Sequence, residues 1–229
     1  MGRAIHHYGM IEGGDRIAVA LSGGKDSLTL MHMLSALQRK APVDFTLFPI
    51  YVDPGFPGGF ADRLLAYGEK NGWDITVELT DHGAVAHDPA NTKNPCFICA
   101  RMRRKLLFEL ARERSCYKLA FGHNRDDIIE TLFLNIFYSG QISTMRPSLS
   151  MFDGKFTILR PLAFVDEALI TAFAAESGFP EFINTCPTAK VSKRKEIKAL
   201  LAKLYAEDLN IKGNIFRALS HVREDYLLK

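Results

Sequence analysis

The run Ser22-Gly23-Gly24-Lys25-Asp26-Ser27 constrains this 229-residue chain more than any other stretch. Arg16 to Leu21, just before it, is short, apolar and β-branched, which predicts a buried strand. After it, apolar residues at Leu28, Leu30, Met31, Leu34 and Leu37 recur at helical spacing through Gln38. The run therefore joins a strand to a helix. Its glycines let backbone N–H groups approach an anion closely. The helix start adds orphan donors and the positive dipole end. Ser22 and Ser27 supply hydroxyls, and Lys25 supplies a compact charge. The run is not the G-x-x-x-x-G-K-[ST] loop, and it lacks the G-x-G-x-x-G pattern. A Gly-Gly turn with serine caps can also serve only to end a strand and begin a helix. Lys25 and Asp26 inside the loop favour a phosphate cradle.

The same alternation continues along the chain. Strands are expected at Phe45–Val52, Trp73–Leu79 and Tyr117–Phe121, with helices at Phe60–Asn71, Ile98–Arg114 and Asp126–Phe137. Residues 80–95 read as a loop. This pace implies an α/β fold, a parallel sheet with helices on both faces. Further on, Phe156–Leu159 reads as an edge strand, Asp166–Glu176 as a helix, and residues 178–189 as a loop holding Cys186. Helices at Ser192–Tyr205 and Asn210–Leu219 end the chain. Residues 1–165 are expected to form one domain that carries the phosphate loop and the C-x-x-C insertion. Residues 166–229 are expected to form a small C-terminal helical appendage with the third cysteine and basic helices.

No stretch of 18 apolar residues is present, and the first 14 residues do not read as a signal peptide. A cytoplasmic protein without membrane contact is expected. Its cysteines, Cys96, Cys99, Cys116 and Cys186, then read as metal ligands or reactive thiols rather than disulfides. Cys96 and Cys99 form a C-x-x-C within reach of one metal. Cys116 reads as core, and Cys186, in a Thr-Cys-Pro turn, suits a ligand better. Three thiolates fit an iron–sulfur cluster with one open iron better than a closed zinc site, and a redox dithiol is the rival. Two basic clusters, Arg101 to Lys105 and Lys190 to Lys198, lean toward a polyanion partner.

Gly122-His123-Asn124-Arg125-Asp126-Asp127 runs into Glu130-Thr131. A glycine at a strand end permits close approach, and two carboxylates at a helix start suit Mg²⁺ or simply an acidic first turn.

The hexapeptide resembles the SGGxDS signature of the PP-loop, or N-type ATP pyrophosphatase, superfamily. Gly122 to Thr131 resembles the GHNxxDxxET segment of its tRNA-modifying members. Cys96-x-x-Cys99 followed by Arg103-Arg104, Tyr8 to Asp15, Glu130 to Asn135 and Ile215 to Ser220 resemble the tRNA-cytidine(32) 2-sulfurtransferase family over nearly the whole chain. That resemblance implies a Rossmann-like fold of the adenine nucleotide α-hydrolase type. It implies ATP on Ser22, Gly23, Gly24, Lys25, Asp26 and Ser27, with adenosine near Val52, Asp53 and Gly122. It further implies Mg²⁺ and a [4Fe–4S] cluster on Cys96, Cys99 and Cys186. Lys25, Asp26, Asp127, Cys96 and Cys99 become the expected catalytic residues.

The implied activity is that of an ATP-dependent tRNA sulfurtransferase forming AMP and pyrophosphate. The C2 oxygen of a cytidine is adenylated and then displaced by sulfur, carried as a hydrosulfide on the open iron or as a persulfide on Cys96 or Cys99. Expected partners are tRNA and a cysteine desulfurase or other sulfur donor, with homodimerisation left open. The alternatives are a non-thiolating PP-loop enzyme, such as a tRNA-lysidine-type ligase or amidotransferase-like synthetase, and a zinc-stabilised RNA-binding module.

Overall fold

The computed structural model describes residues 1–183, 185–188 and 193–228. Among them, the strands are β1 (Asp15–Leu21), β2 (Phe45–Asp53), β3 (Thr76–Leu79), β4 (Lys118–Ala120), β5 (Ser148–Met151) and β6 (Phe156–Leu159). They form one sheet in the order β3-β2-β1-β4-β6-β5. All neighbours run parallel except β5, which is antiparallel to β6. Phe156–Leu159 is therefore not the edge expected from sequence, because it pairs with β4 on one side and β5 on the other. The short, serine-containing β5 lacks the apolar run that would have announced it.

The period of two in β1 divides the core. Ile17, Val19 and Leu21 pack with Leu28, Leu30, Met31 and Leu34 of α2 (Lys25–Gln38). Ala18 and Ala20 face the other way, onto Leu107, Leu110 and Ala111 of α5 (Pro95–Glu113). Alanines on that face let the helix lie close to the sheet. Helices thus cover both faces, as expected of strands buried on two sides. Three short helices complete this part: α1 (Gly2–His7), α3 (Ala61–Lys70) and α4 (His82–Ala86). Neither α1 nor α4 was legible. Each spans barely one turn or two and is held by burial of one alanine, Ala4 or Ala86, rather than by a periodic apolar face.

The chain divides into two units, Met1–Asn124 with Arg146–Lys190, and Arg125–Met145 with Val191–Lys229. The first holds the sheet and α7 (Glu167–Glu176), and the boundary expected after residue 165 falls inside it. The second holds α6 (Arg125–Ser139), α8 (Lys193–Glu207) and α9 (Asn210–Ala218). Its own apolar cluster joins Ile129, Ile197 and Leu201 with Phe133, Tyr205 and Phe216. Lys190 and the helix start expected at Ser192 lie outside the described residues. No described helix is long and apolar enough to cross a membrane.

Candidate active site

The registers Leu21↔Tyr51 and Val19↔Ala120 bring the ends of β1, β2 and β4 to one edge of the sheet. The next strand in sequence lies on one side of β1, and β4 lies on the other. The loop leaving β1 therefore opens at the point where strand order reverses, the general ligand position in open α/β sheets.

Ser22 to Ser27 is built as a closed cradle there. The Ser22 N–H and the Ser22 hydroxyl each lie 3.1 Å from Ser27 Oγ, the N–H donating. Ser27 Oγ in turn donates to the Gly24 carbonyl at 2.9 Å. Gly23 has φ +74°, and a Cβ on it would sit 2.6 Å from the Phe60 ring, so only glycine fits. Gly122 closes the cradle from the end of β4. A Cβ there would sit 2.9 Å from the main chain of Asp26 and Ser27.

The charges follow. Lys25 Nζ lies 3.0 Å from Asp26 Oδ2 and 3.0 Å from Glu167 Oε1. Burial works against the ammonium, but bonds to Glu167 and Asp26 together outweigh it and raise the Lys25 pKa. Asn124 Nδ2 donates to Asp26 Oδ1 at 2.8 Å. Glu167 was not singled out in the sequence, and Asn124 appeared there only as part of the Gly122–Thr131 segment, with no role of its own. Nothing local marks Glu167, which arrives from α7.

Two expected adenosine neighbours are already committed. The Val52 side chain is 1% exposed and packs under α5, leaving only its main chain at the edge. Asp53 is buried and accepts from the Gly55 N–H at 2.8 Å and from the Tyr51 hydroxyl at 3.3 Å. Burial and the Asp53 charge both push the Tyr51 phenol upward, so it stays a donor.

The thiols converge within the same unit. Asn94 caps α5 by accepting from the Cys96 N–H at 2.9 Å, with Pro95 in the first turn. The helix thus begins three residues before the expected Ile98, and it carries Cys96 and Cys99 one turn apart on neighbouring faces. Cys96 Sγ lies 3.5 Å from Thr188 Oγ1 and Cys186 Sγ 3.4 Å from the same oxygen. His87 Nε2 holds that hydroxyl at 3.2 Å, and its Nδ1 lies 2.9 Å from the Gly83 carbonyl. Burial pushes the Cys99 thiol up, Arg103 pulls it down, and the sulfurs of Cys186 and Cys96 push it up. Cys116 is fully buried, as expected, and burial takes its thiol up to about 11.

Among the described residues, no three His, Cys, Asp or Glu side chains stand close enough to share one metal ion. A polynuclear cluster asks for something else, one thiolate on each of several irons. The convergent sulfurs and the buried, unpartnered Nε of Arg103, one turn after Cys99, fit such an anionic group.

The acidic segment is held by ion pairs. Asp126 lies 2.7 Å from Lys212 Nζ. Asp127 lies 3.5 Å from Arg194, which also reaches Glu130 Oε2 and the Thr131 hydroxyl, each at 3.1 Å. Asp127 is thus tied to a basic side chain of its own unit. The second half of the segment anchors α8 to α6.

The PP-loop domain matches residues 3–194, so this is a PP-loop protein. Within that class the chain belongs to the tRNA-cytidine(32) 2-sulfurtransferase family. It is 41% identical to the protein of that name from Geobacter sulfurreducens, over 100% of this chain and 90% of the relative. It is 42% identical to the one from Geotalea daltonii, over 100% and 92%. In fold it is similar to the U34-tRNA thiolase NcsA from Methanococcus maripaludis, solved with its [4Fe-4S] cluster. The TM-score is 0.80 at 23% identity, covering 99% of this chain and 78% of that one. A more distant fold likeness is the NH3-dependent NAD synthetase from Campylobacter jejuni, TM-score 0.52 at 14% identity, covering 98% and 90%.

Proposed function

We propose that this chain is a cytoplasmic ATP-dependent tRNA sulfurtransferase that converts a cytidine, at position 32 in the family's name, to 2-thiocytidine. One observation carries the reading: a phosphate cradle at the strand-order switch and three convergent thiols belong to the same structural unit.

Ser22 to Ser27 holds the ATP phosphates by main-chain N–H groups and hydroxyls. Lys25 takes charge off the α- and β-phosphates as the C2 oxygen of cytosine attacks the α-phosphorus and pyrophosphate leaves. Asp26, held by Asn124 and Lys25, orients that lysine and is the carboxylate within the cradle that Mg²⁺ would meet. A hydrosulfide, sulfur already at the sulfide level, then attacks C2; the C2–O bond breaks, AMP departs with the oxygen, and the sulfur's proton is released to solvent. Cys96, Cys99 and Cys186 would hold a [4Fe–4S] cluster, which when bound supplies an iron able to carry sulfur. Arg103 balances the negative charge of that assembly. Partners are tRNA, a cysteine desulfurase or other sulfur donor, and a second copy as a homodimer.

The test is nucleoside mass spectrometry of tRNA from a deletion strain, with and without this chain restored. Loss of 2-thiocytidine and its return support the reading. Unchanged 2-thiocytidine overturns it.

A further inference from the structure

A cavity of about 410 Å³ lies outside the cradle and the thiol cluster, between residues 90–93 and one flank of α5. Phe97, Arg101 and Lys105 recur every four residues along that flank, with Ile98 and Met102 beside them. This stripe is distinct from the inward one that runs through Cys99, Arg103 and Leu107. Phe97 is 58% exposed, so its ring face is open to a ligand. The lining carries three cations, Lys93, Arg101 and Lys105, and no carboxylate. Two acids lie beside it: Asp88, whose Oδ1 accepts from the Ala90 N–H at 2.8 Å, and Glu109, 3.6 Å from Lys105 in a pair too exposed to cancel the field.

An open aromatic face ringed by cations suits a splayed base whose flanking phosphates meet lysine and arginine. A protein partner would more often be met by an apolar patch with mixed charge. The basic stretch of α8 is less available, because Lys193 bonds Glu196 and Arg194 is held by Asp127 and Glu130.

We infer that this cavity binds an unstacked nucleotide of single-stranded RNA, next to the nucleotide being modified, resting on the Phe97 ring. Phe97 directly follows Cys96, so their Cα atoms are about 3.8 Å apart, and a base held here keeps the strand beside the thiols. The inference rests on the proposed tRNA function.

The experiment titrates an unmodified tRNA transcript against the full protein at several salt concentrations. Phe97→Ala is expected to weaken binding about tenfold, and Phe97→Tyr to restore it. Changing Lys93, Arg101 and Lys105 together to Ala should lower the log–log salt slope by about 2. Iron content should stay at the wild-type level in all variants. Wild-type tRNA affinity in Phe97→Ala overturns the site while leaving the function standing, provided the wild type binds tRNA and forms 2-thiocytidine. Normal tRNA binding with lost sulfur delivery from the donor protein also overturns it and gives this face to a protein. A wild type that binds no tRNA takes both readings down together.

Discussion

Lys25 and Glu167 are 142 positions apart in sequence, yet the lysine Nζ lies 3.0 Å from the glutamate Oε1. The ammonium that would meet phosphate is thus already held by a carboxylate, and the two anions compete for it. Glu167→Gln should tighten ATP binding a few-fold by calorimetry, because it removes one negative charge beside the cradle. Lys25→Ala should cut pyrophosphate release about 100-fold or more with the fold intact. Weaker ATP binding in Glu167→Gln would mean that Glu167 serves to position Lys25.

Gly122→Ala places a methyl 2.9 Å from the main chain of Asp26 and Ser27, where nothing flexible can yield. The helix start must shift, at a cost of about 1–3 kcal/mol in urea unfolding. ATP turnover should fall far more than stability. Gly13→Ala, which meets nothing within 4 Å, is the control and should leave both unchanged.

Cys96→Ser, Cys99→Ser and Cys186→Ser should each lose iron and visible absorbance in anaerobically purified protein. Cys116→Ser should keep both. Retained iron in the Cys186 variant would remove that residue from the ligand set.

Cys116 also gives a pH signature. Its thiol titrates near 9 when unfolded and at about 11 when folded. Between those values the unfolded chain has released the proton and the folded chain has not, so this residue makes stability fall as pH rises from 9 to about 11. Cys116→Ala should show a shallower decline over that window in thermal melts. Parallel curves would place no burial penalty on the thiolate.

Arg194→Met strands the buried carboxylate of Glu130 and should destabilise by about 1–3 kcal/mol. Burial raises the Glu130 pKa against the opposing pull of Arg194, so without that arginine the carboxyl protonates more readily. The loss should therefore shrink as pH falls toward the carboxylate range. Arg194→Met combined with Glu130→Met should recover part of it. An equal loss at every pH would exclude Glu130 as its source.

The cradle was legible because its signal is local: two glycines, two serines and a lysine between a β-branched run and a helical one. The start of α5 was misplaced for an equally local reason. Asn94-Pro95 is a cap followed by a first-turn proline, but both residue types also mark loops, and the loop over residues 80–95 took them in. The partners of Lys25, Cys96 and Asp127 were not legible. Glu167, Thr188 and Arg194 arrive from distant sequence and carry no marker of their own. A carboxylate pair at a helix start carries no mark of the lysine and arginine that reach it from the C-terminal helices.

The helices of the second unit come from two stretches of chain with Arg146–Lys190 of the first unit written between them. On the ribosome, α6 emerges roughly fifty residues ahead of α8, a delay of about 3–10 s at typical elongation rates. During that interval Ile129 and Phe133 have no Ile197 or Leu201 to pack against. Nascent α6 is then a sticky apolar segment awaiting the last helices to be made. Trimming the C-terminal helices would leave the finished protein permanently at that stage of its synthesis.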